Sequence, residues 1–160
     1  MNVLPKSSRR AAILALAAAV ALVVARRLRP RLPLARFVVD GASMEPALRA
    51  GDRLLTWRGL TGSPRPRRGQ IVVLRDPHAP GRELVKRVRA QPGESVPLAL
   101  GRATVGDPHA AHHLAADEYF VAGDNGDASR DSRHFGPVRR EQLVGRVVYR
   151  YWPPERAGRV

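Results

Sequence analysis

Cysteine is absent from this chain of 160 residues. That removes disulfides, thiolate metal sites and a cysteine nucleophile together, and it leaves the redox compartment open. Lysine is almost absent as well: Lys6 and Lys86 are the only two among 28 cationic residues, and the rest are arginine. Aromatic residues make up 5% of the chain, and neither an internal repeat nor a helical period of useful length can be traced. A repeat array and a helical bundle are therefore set aside. Long apolar runs are limited to one, Ala11 to Ala25.

What is present suffices for one modest domain with an appendage. Apolar residues at 44% allow a buried core, which argues against global disorder. A formal charge of +14 fits an anionic partner, nucleic acid or a membrane surface, and it equally fits a chain that simply writes Arg for Lys. In such a chain an internal lysine stands out. Lysine can lose its proton when buried, whereas arginine effectively cannot.

The order of segments is informative. A short basic stretch, 1–10, precedes an apolar segment, 11–28, whose uncharged part is fifteen residues long. A span usually needs about 20, so flanking arginines must snorkel if it crosses a bilayer. A cleaved signal peptide is the competing reading, which Arg26-Arg27 directly after the run disfavours. Basic residues lie on both sides of the run, so the positive-inside count does not orient it. The stretch 29–36, with Pro30 and Pro33, reads as a stiff linker. The texture then changes to short β-like runs: Phe37 to Val39, Arg53 to Trp57, Gln70 to Leu74, Leu84 to Val88, Tyr119 to Ala122 and Leu143 to Trp152. Gly/Pro-rich turns divide them. Pro137 to Gln142 is expected as a short helix, and 153–160 as a tail. The body, 37–152, is expected to be mainly β, a compact antiparallel sheet or small barrel.

Three stretches can carry chemistry. In Val39-Asp40-Gly41-Ala42-Ser43-Met44-Glu45-Pro46, a strand runs into a tight turn that places the Ser43 hydroxyl beside free backbone N–H groups. That suits an acyl-transfer nucleophile, and it also suits a serine capping a helical turn. Lys86 alternates onto one strand face with Leu84 and Val88. If that face is core, desolvation lowers the amine pKa from about 10.4, and a neutral lysine can then deprotonate a serine. A snorkelling strand lysine is the plainer alternative. The third stretch, Gly123 to Gly136, packs three aspartates, two serines and two arginines into fourteen residues, too dense for a plain connector. The cluster His109, His112 and His113 looks like metal spacing, but no strand or carboxylate partner is evident nearby, so it reads as a solvated loop. His78 sits in a turn with nothing tying it to Ser43. No metal or other cofactor is expected.

Together these stretches resemble the type I signal peptidase family, membrane-anchored Ser-Lys proteases that remove signal peptides. Ser43-Met44-x-Pro46-x-Leu48 resembles the nucleophile box, Gly51 to Leu55 the strand after it, and Lys86-Arg87-Val88 with Gln91 to Glu94 the general-base box. Gly123-Asp124-Asn125, Ser129, Asp131-Ser132-Arg133 and Gly136 resemble the last box in spacing and identity. The resemblance covers about 37–152 and the anchor ahead of it.

It implies Ser43 as nucleophile and Lys86 as general base, with Ser129 hydrogen-bonded to the lysine amine. Asp131 and Arg133 would form an ion pair, with Asp124 and Asn125 in support. Phe37, Val38 and Met44 are candidates to line a substrate pocket and to touch the membrane, or else to be ordinary core. It also implies signal-peptide-bearing preproteins as substrates, small residues at the −1 and −3 positions, and the lipid bilayer as a partner without nucleic acid. The protein is then expected in the cell membrane, single-pass, with its catalytic domain on the extracytoplasmic side. Two departures stand out. Some relatives carry a second oxyanion donor two residues before the nucleophile, where Gly41 stands here. Only 36 residues separate Lys86 from Gly123, so the insert, about 91–117, is reduced.

Rival readings are a protease dedicated to one precursor, such as a nickel-type superoxide dismutase or a conjugative pilin, and a self-cleaving repressor, which lacks its DNA-binding region here. A non-enzymatic basic module is the remote one, and it leaves Ser43, Lys86 and the last box without purpose.

Overall fold

Ile71–Arg75 is apolar at four consecutive positions, and all four are buried. A strand of that kind belongs in the middle of a sheet with both faces covered. In the computed structural model, which describes residues 33–58, 65–97 and 111–160, it is indeed central. Its odd positions, Ile71 and Val73, enter one apolar cluster with Val39, Met44, Leu48, Leu54, Val85 and Val147. Its even positions, Val72 and Leu74, enter a second with Val88, Tyr119, Val121, Val138 and Leu143.

In chain order the strands are β1 (Leu34–Val38), β2 (Arg53–Arg58), β3 (Ile71–Arg75), β4 (Glu83–Ala90), β5 (Ser95–Pro97), β6 (Ala111–His113), β7 (Glu118–Ala122), β8 (Val138–Arg139) and β9 (Leu143–Trp152). Seven form one antiparallel sheet in the order β1-β2-β9-β3-β4-β7-β8, and β5 pairs with β6 alone. The mainly β, antiparallel expectation is met. β9, the last strand, is inserted between β2 and β3, so the N-terminal strand pair is joined to the centre only through it.

Several details differ from the sequence reading. β1 starts inside the expected linker, at Leu34. The helix expected at Pro137 to Gln142 is absent: Val138 and Arg139 pair with Tyr119 and Glu118, and only Arg140–Gln142 coils, as a 3-10 turn. Burial of Val138 against Tyr119 outweighs local helix preference. The one α-helix among the described residues is α1 (Ser132–Phe135), inside the last box. The expected tail is part of the fold: Pro154–Arg156 forms a 3-10 turn, Gly158 bridges to Arg150, and Val160 packs on the first cluster. The anchor and basic segment, the first part of the linker and the His109 tip lie outside the described residues, and among the described residues no helix is long and apolar enough to cross a membrane.

One outward face needs separate mention. Cross-strand partners point the same way, and the register of β1, β2 and β9 sets up three rows: Leu34–Trp57–Arg146, Arg36–Leu55–Tyr149 and Val38–Arg53–Trp152. Each row holds two apolar residues and one arginine. All the large exposed apolar side chains among the described residues, Leu34, Val38, Trp57, Tyr149 and Trp152, are in these rows, and the Arg53 guanidinium stacks on the Trp152 ring.

Candidate active site

Ser43 stands in the turn that carries the chain from β1 to β2. Glu45 N–H donates to the Ala42 carbonyl and Leu48 N–H to the Met44 carbonyl. Met44 and Leu48 are drawn into the core below, which leaves Ser43 on the open side. The capping alternative is not what the structure contains, because the Ser43 hydroxyl accepts from a lysine instead: Lys86 Nζ lies 2.8 Å from Ser43 Oγ. Lys86 is opposite Val72 on β4, on the face that Leu84 and Val88 give to the second cluster, and it is 2% exposed. Burial is the largest influence on its amine and lowers the pKa. Asp131 pulls the other way, Arg133 and Arg82 push it further down, and Asp76 opposes them.

The last box wraps this pair from above. Asn125 N–H donates to the Ser43 carbonyl at 3.1 Å. A Cβ on Gly123 would lie 2.3 Å from both the Ser43 carbonyl oxygen and Ser129 Oγ, so only glycine allows the two segments to meet. Asp131, fully buried, gathers the loop. Its carboxylate accepts from Gly123 N–H (2.8 Å), from Ser129 Oγ (2.6 Å) and from Arg133 Nε and Nη2 (2.9 and 2.7 Å), and its Oδ1 caps α1 at Arg133 N–H. Burial acts to raise its pKa, but these donors outweigh it and hold the carboxyl down at about 2. The expected Asp131–Arg133 pair is thus bidentate. Ser129 has a partner that was not expected: its hydroxyl donates to Asp131, one of the charges that act on the Lys86 amine.

Asp124 takes a fork from Arg87 (Nε 2.8 Å, Nη2 2.6 Å) and a further bond from Arg89 at 2.9 Å. This pairing was not foreseen. The signal was available: Arg87 and Arg89 share a face of β4, Arg87 is opposite Ala122, and Asp124 is two residues on. Also unforeseen is the role of Asp52, 2% exposed, which binds Arg150 and Arg156 from the far end of the chain.

A cleft of about 280 Å³ opens over Ser43 and Lys86, with Phe37, Met44, Leu84 and Ala128 among its walls. Of the three proposed pocket residues it receives Phe37 and Met44. Val38 alternates outward and is 56% exposed, in the aromatic rows. Gly41 also borders the cleft, with φ at +95°, a conformation that a hydroxyl-bearing residue would hold only with strain. His112 and His113 do lie on a strand, β6, and His112 Nε2 is 3.1 Å from Glu118 Oε2. A strand and a carboxylate are therefore both present, contrary to the sequence reading. Among the described residues no group of three or more His, Asp or Glu is placed to hold a metal ion.

The family described as signal peptidase, peptidase S26, matches residues 9–112 and 99–152. A signal peptidase I of Leptolyngbya laminosa is 32% identical over 157 residues, covering 85% of this chain and 77% of the relative. A probable signal peptidase I-2 of Synechocystis is also 32% identical over 157 residues, covering 86% and 72%. A mitochondrial ATP-independent inner membrane protease subunit 1b of Arabidopsis thaliana is 37% identical over 114 residues, 71% of this chain and 67% of that one. On this breadth of agreement, the chain belongs to the S26 signal peptidase family and is a serine peptidase.

Proposed function

We propose that this protein is a membrane-anchored endopeptidase in which Ser43 and Lys86 cleave signal peptides from exported preproteins after a small residue, at Ala-x-Ala sites. The 2.8 Å contact between a buried lysine amine and a serine hydroxyl is the observation that carries this reading. A neutral Lys86 accepts the Ser43 proton as Oγ attacks the scissile carbonyl carbon. The Ser43 backbone N–H faces the developing oxyanion. Collapse breaks the C–N bond, and the Lys86 ammonium returns its proton to the departing amine. Water, deprotonated by Lys86, then attacks the ester and frees Ser43. Asp131, held by Ser129 and Arg133, sets the field around the amine, while Asp124 and Asn125 fasten the covering loop to β4 and to the Ser43 carbonyl. Phe37 and Met44 limit the cleft to small side chains, and β1, an edge strand, offers its free side to an extended substrate. The chemistry needs no cofactor.

The three outward rows support the lipid bilayer as partner. Tryptophan, tyrosine and arginine at an interface bury apolar bodies while keeping polar ends among headgroups. β1 follows the apolar run 11–25 in sequence, so the same strand presents Phe37 to the cleft and Val38 to the membrane. Both tryptophans of the chain, Trp57 and Trp152, are in these rows. Their emission is expected to shift to the blue and to resist aqueous quencher in anionic vesicles. Unchanged emission against a detergent control counts against the surface.

The activity is tested with detergent-solubilised protein and a precursor bearing an Ala-x-Ala site. Wild type is expected to cut after the second Ala, while Ser43→Ala and Lys86→Met each lose roughly 10⁴-fold or more in kcat. Cleavage that survives either substitution refutes the dyad. No cleavage by wild type refutes general signal peptidase activity, and acylation of Ser43 by an active-site inhibitor then separates a dedicated protease from an inactive one.

A further inference from the structure

The turn that carries Ser43 is gripped from a second side, by the end of the chain. The loop closes on itself first: Val39 N–H donates to the Asp52 carbonyl, and Gly51 N–H donates to the Val39 carbonyl, both at 2.9 Å. Inside it the Ala47 carbonyl points toward the last residues, where Arg150 Nη1 reaches it at 2.9 Å and Arg156 Nη2 at 3.2 Å. The same guanidiniums bind the Asp52 carboxylate, Arg150 at Oδ2 (3.4 Å) and Arg156 at Oδ1 (3.1 Å), and Arg49 N–H completes it at 3.0 Å.

Arg156 is itself fixed in place. Its own carbonyl accepts from Arg150 Nε, its N–H donates to the Pro153 carbonyl, and Gly158 makes a reciprocal backbone pair with Arg150. Val160 then packs on the cluster that contains Met44 and Leu48, the two residues whose burial turns Ser43 outward.

We infer that Arg156, with Arg150 and Asp52, is a positioning residue for the nucleophile: the C-terminal segment sets the depth and angle of the Ser43 turn against Lys86. The inference rests on the function proposed above. Its logic is geometric. Arg156 spans the carboxylate with Nη1 and the carbonyl with Nη2, and a planar fork holds two such donors at a fixed spacing that the single nitrogen of an ammonium does not impose. Displacement of a reacting group by about 1 Å costs on the order of 10²-fold in rate. Arg150 still neutralises Asp52 when Arg156 is lost, so no buried charge is orphaned and the fold survives.

The experiment compares full-length Arg156→Ala, Arg156→Lys and, as a control outside the clamp, Arg159→Ala, with the Ala-x-Ala precursor in detergent well below each variant's Tm. Arg156→Ala is expected to lower kcat 10- to 100-fold with KM unchanged and with the acid limb of the pH–rate profile in place. Lysine should restore only a part, and Arg159→Ala should match wild type. Hydrogen exchange of the Glu45 and Leu48 amides, which the turn protects, is expected to quicken in Arg156→Ala. A kcat within twofold of wild type, or a rise in KM alone, overturns the inference, as does unchanged exchange. If wild type cleaves no precursor, the proposed function has failed, and the exchange measurement still decides the clamp.

Discussion

Two buried carboxylates flank the Ser43 turn, and they are built in opposite ways. Asp131 draws every side-chain and backbone donor from residues within eight positions of itself, Gly123, Ser129 and Arg133. Asp52 draws Arg150 and Arg156 from 98 and 104 positions away. The first is a self-contained loop that is laid over Ser43 and Lys86. The second is a fastening between chain ends. Asp131 is among the charges that act on Lys86, whereas Asp52 is not. In the mechanism proposed above, the first therefore bears on the charge of the Lys86 amine, and the second on the seating of the Ser43 turn.

Substitution should separate the two, beginning with the largest effect. Asp131→Ala strands Arg133 and removes the centre of five hydrogen bonds, and a loss of about 3–5 kcal/mol is expected in urea denaturation. Asp52→Asn keeps an acceptor for only one of the two arginines, but both retain the Ala47 carbonyl, so it should cost less, with kcat reduced at a fixed acid limb. Asp131→Asn should move that limb to lower pH, because the anion that raises the Lys86 pKa is gone. Equal limbs in the two variants would erase the distinction. For wild type, kcat/KM should fall as pH drops through the lowered Lys86 pKa, and a profile flat from about pH 6 to 10 contradicts a titrating lysine.

Acid titration of stability gives a smaller effect. The Asp131 carboxyl is depressed to about 2 in the fold, so its contribution is complete above the unfolded value near 3.9 and lost as pH falls toward 2. The loss is about 2 kcal/mol by linkage. Smallest is Arg89→Ala: Arg87 keeps its fork on Asp124, and the half-exposed Arg89 pair should be worth under about 1 kcal/mol in Tm-derived stability.

The same contrast explains what could be read without coordinates. Lys86 was legible because strand alternation places it with Leu84 and Val88, and it is rare in a chain of arginines. The Asp131 loop was legible because its partners are neighbours in sequence. Asp52 was not, since nothing local marks which of 26 arginines reaches back a hundred residues. Val138 shows the tertiary side of that limit: its pairing with Tyr119 made a strand where proline and local preference read as helix. Ser129 shows that a residue named for one contact can carry another within its own loop, since a hydroxyl two residues from a carboxylate donates to that nearby acceptor.

The position of β9 has a consequence for biogenesis. Ser43 belongs to the turn between β1 and β2, while Lys86 belongs to β4, and the strand that unites their portions of the sheet follows both in sequence. Core packing of Met44 and Leu48 on Ile71, Val73 and Val85 already brings the two segments together, but the strand pairing that makes them one sheet waits for β9. Under the mechanism proposed above, the register between Ser43 and Lys86 is therefore locked late, by a strand that neither residue belongs to.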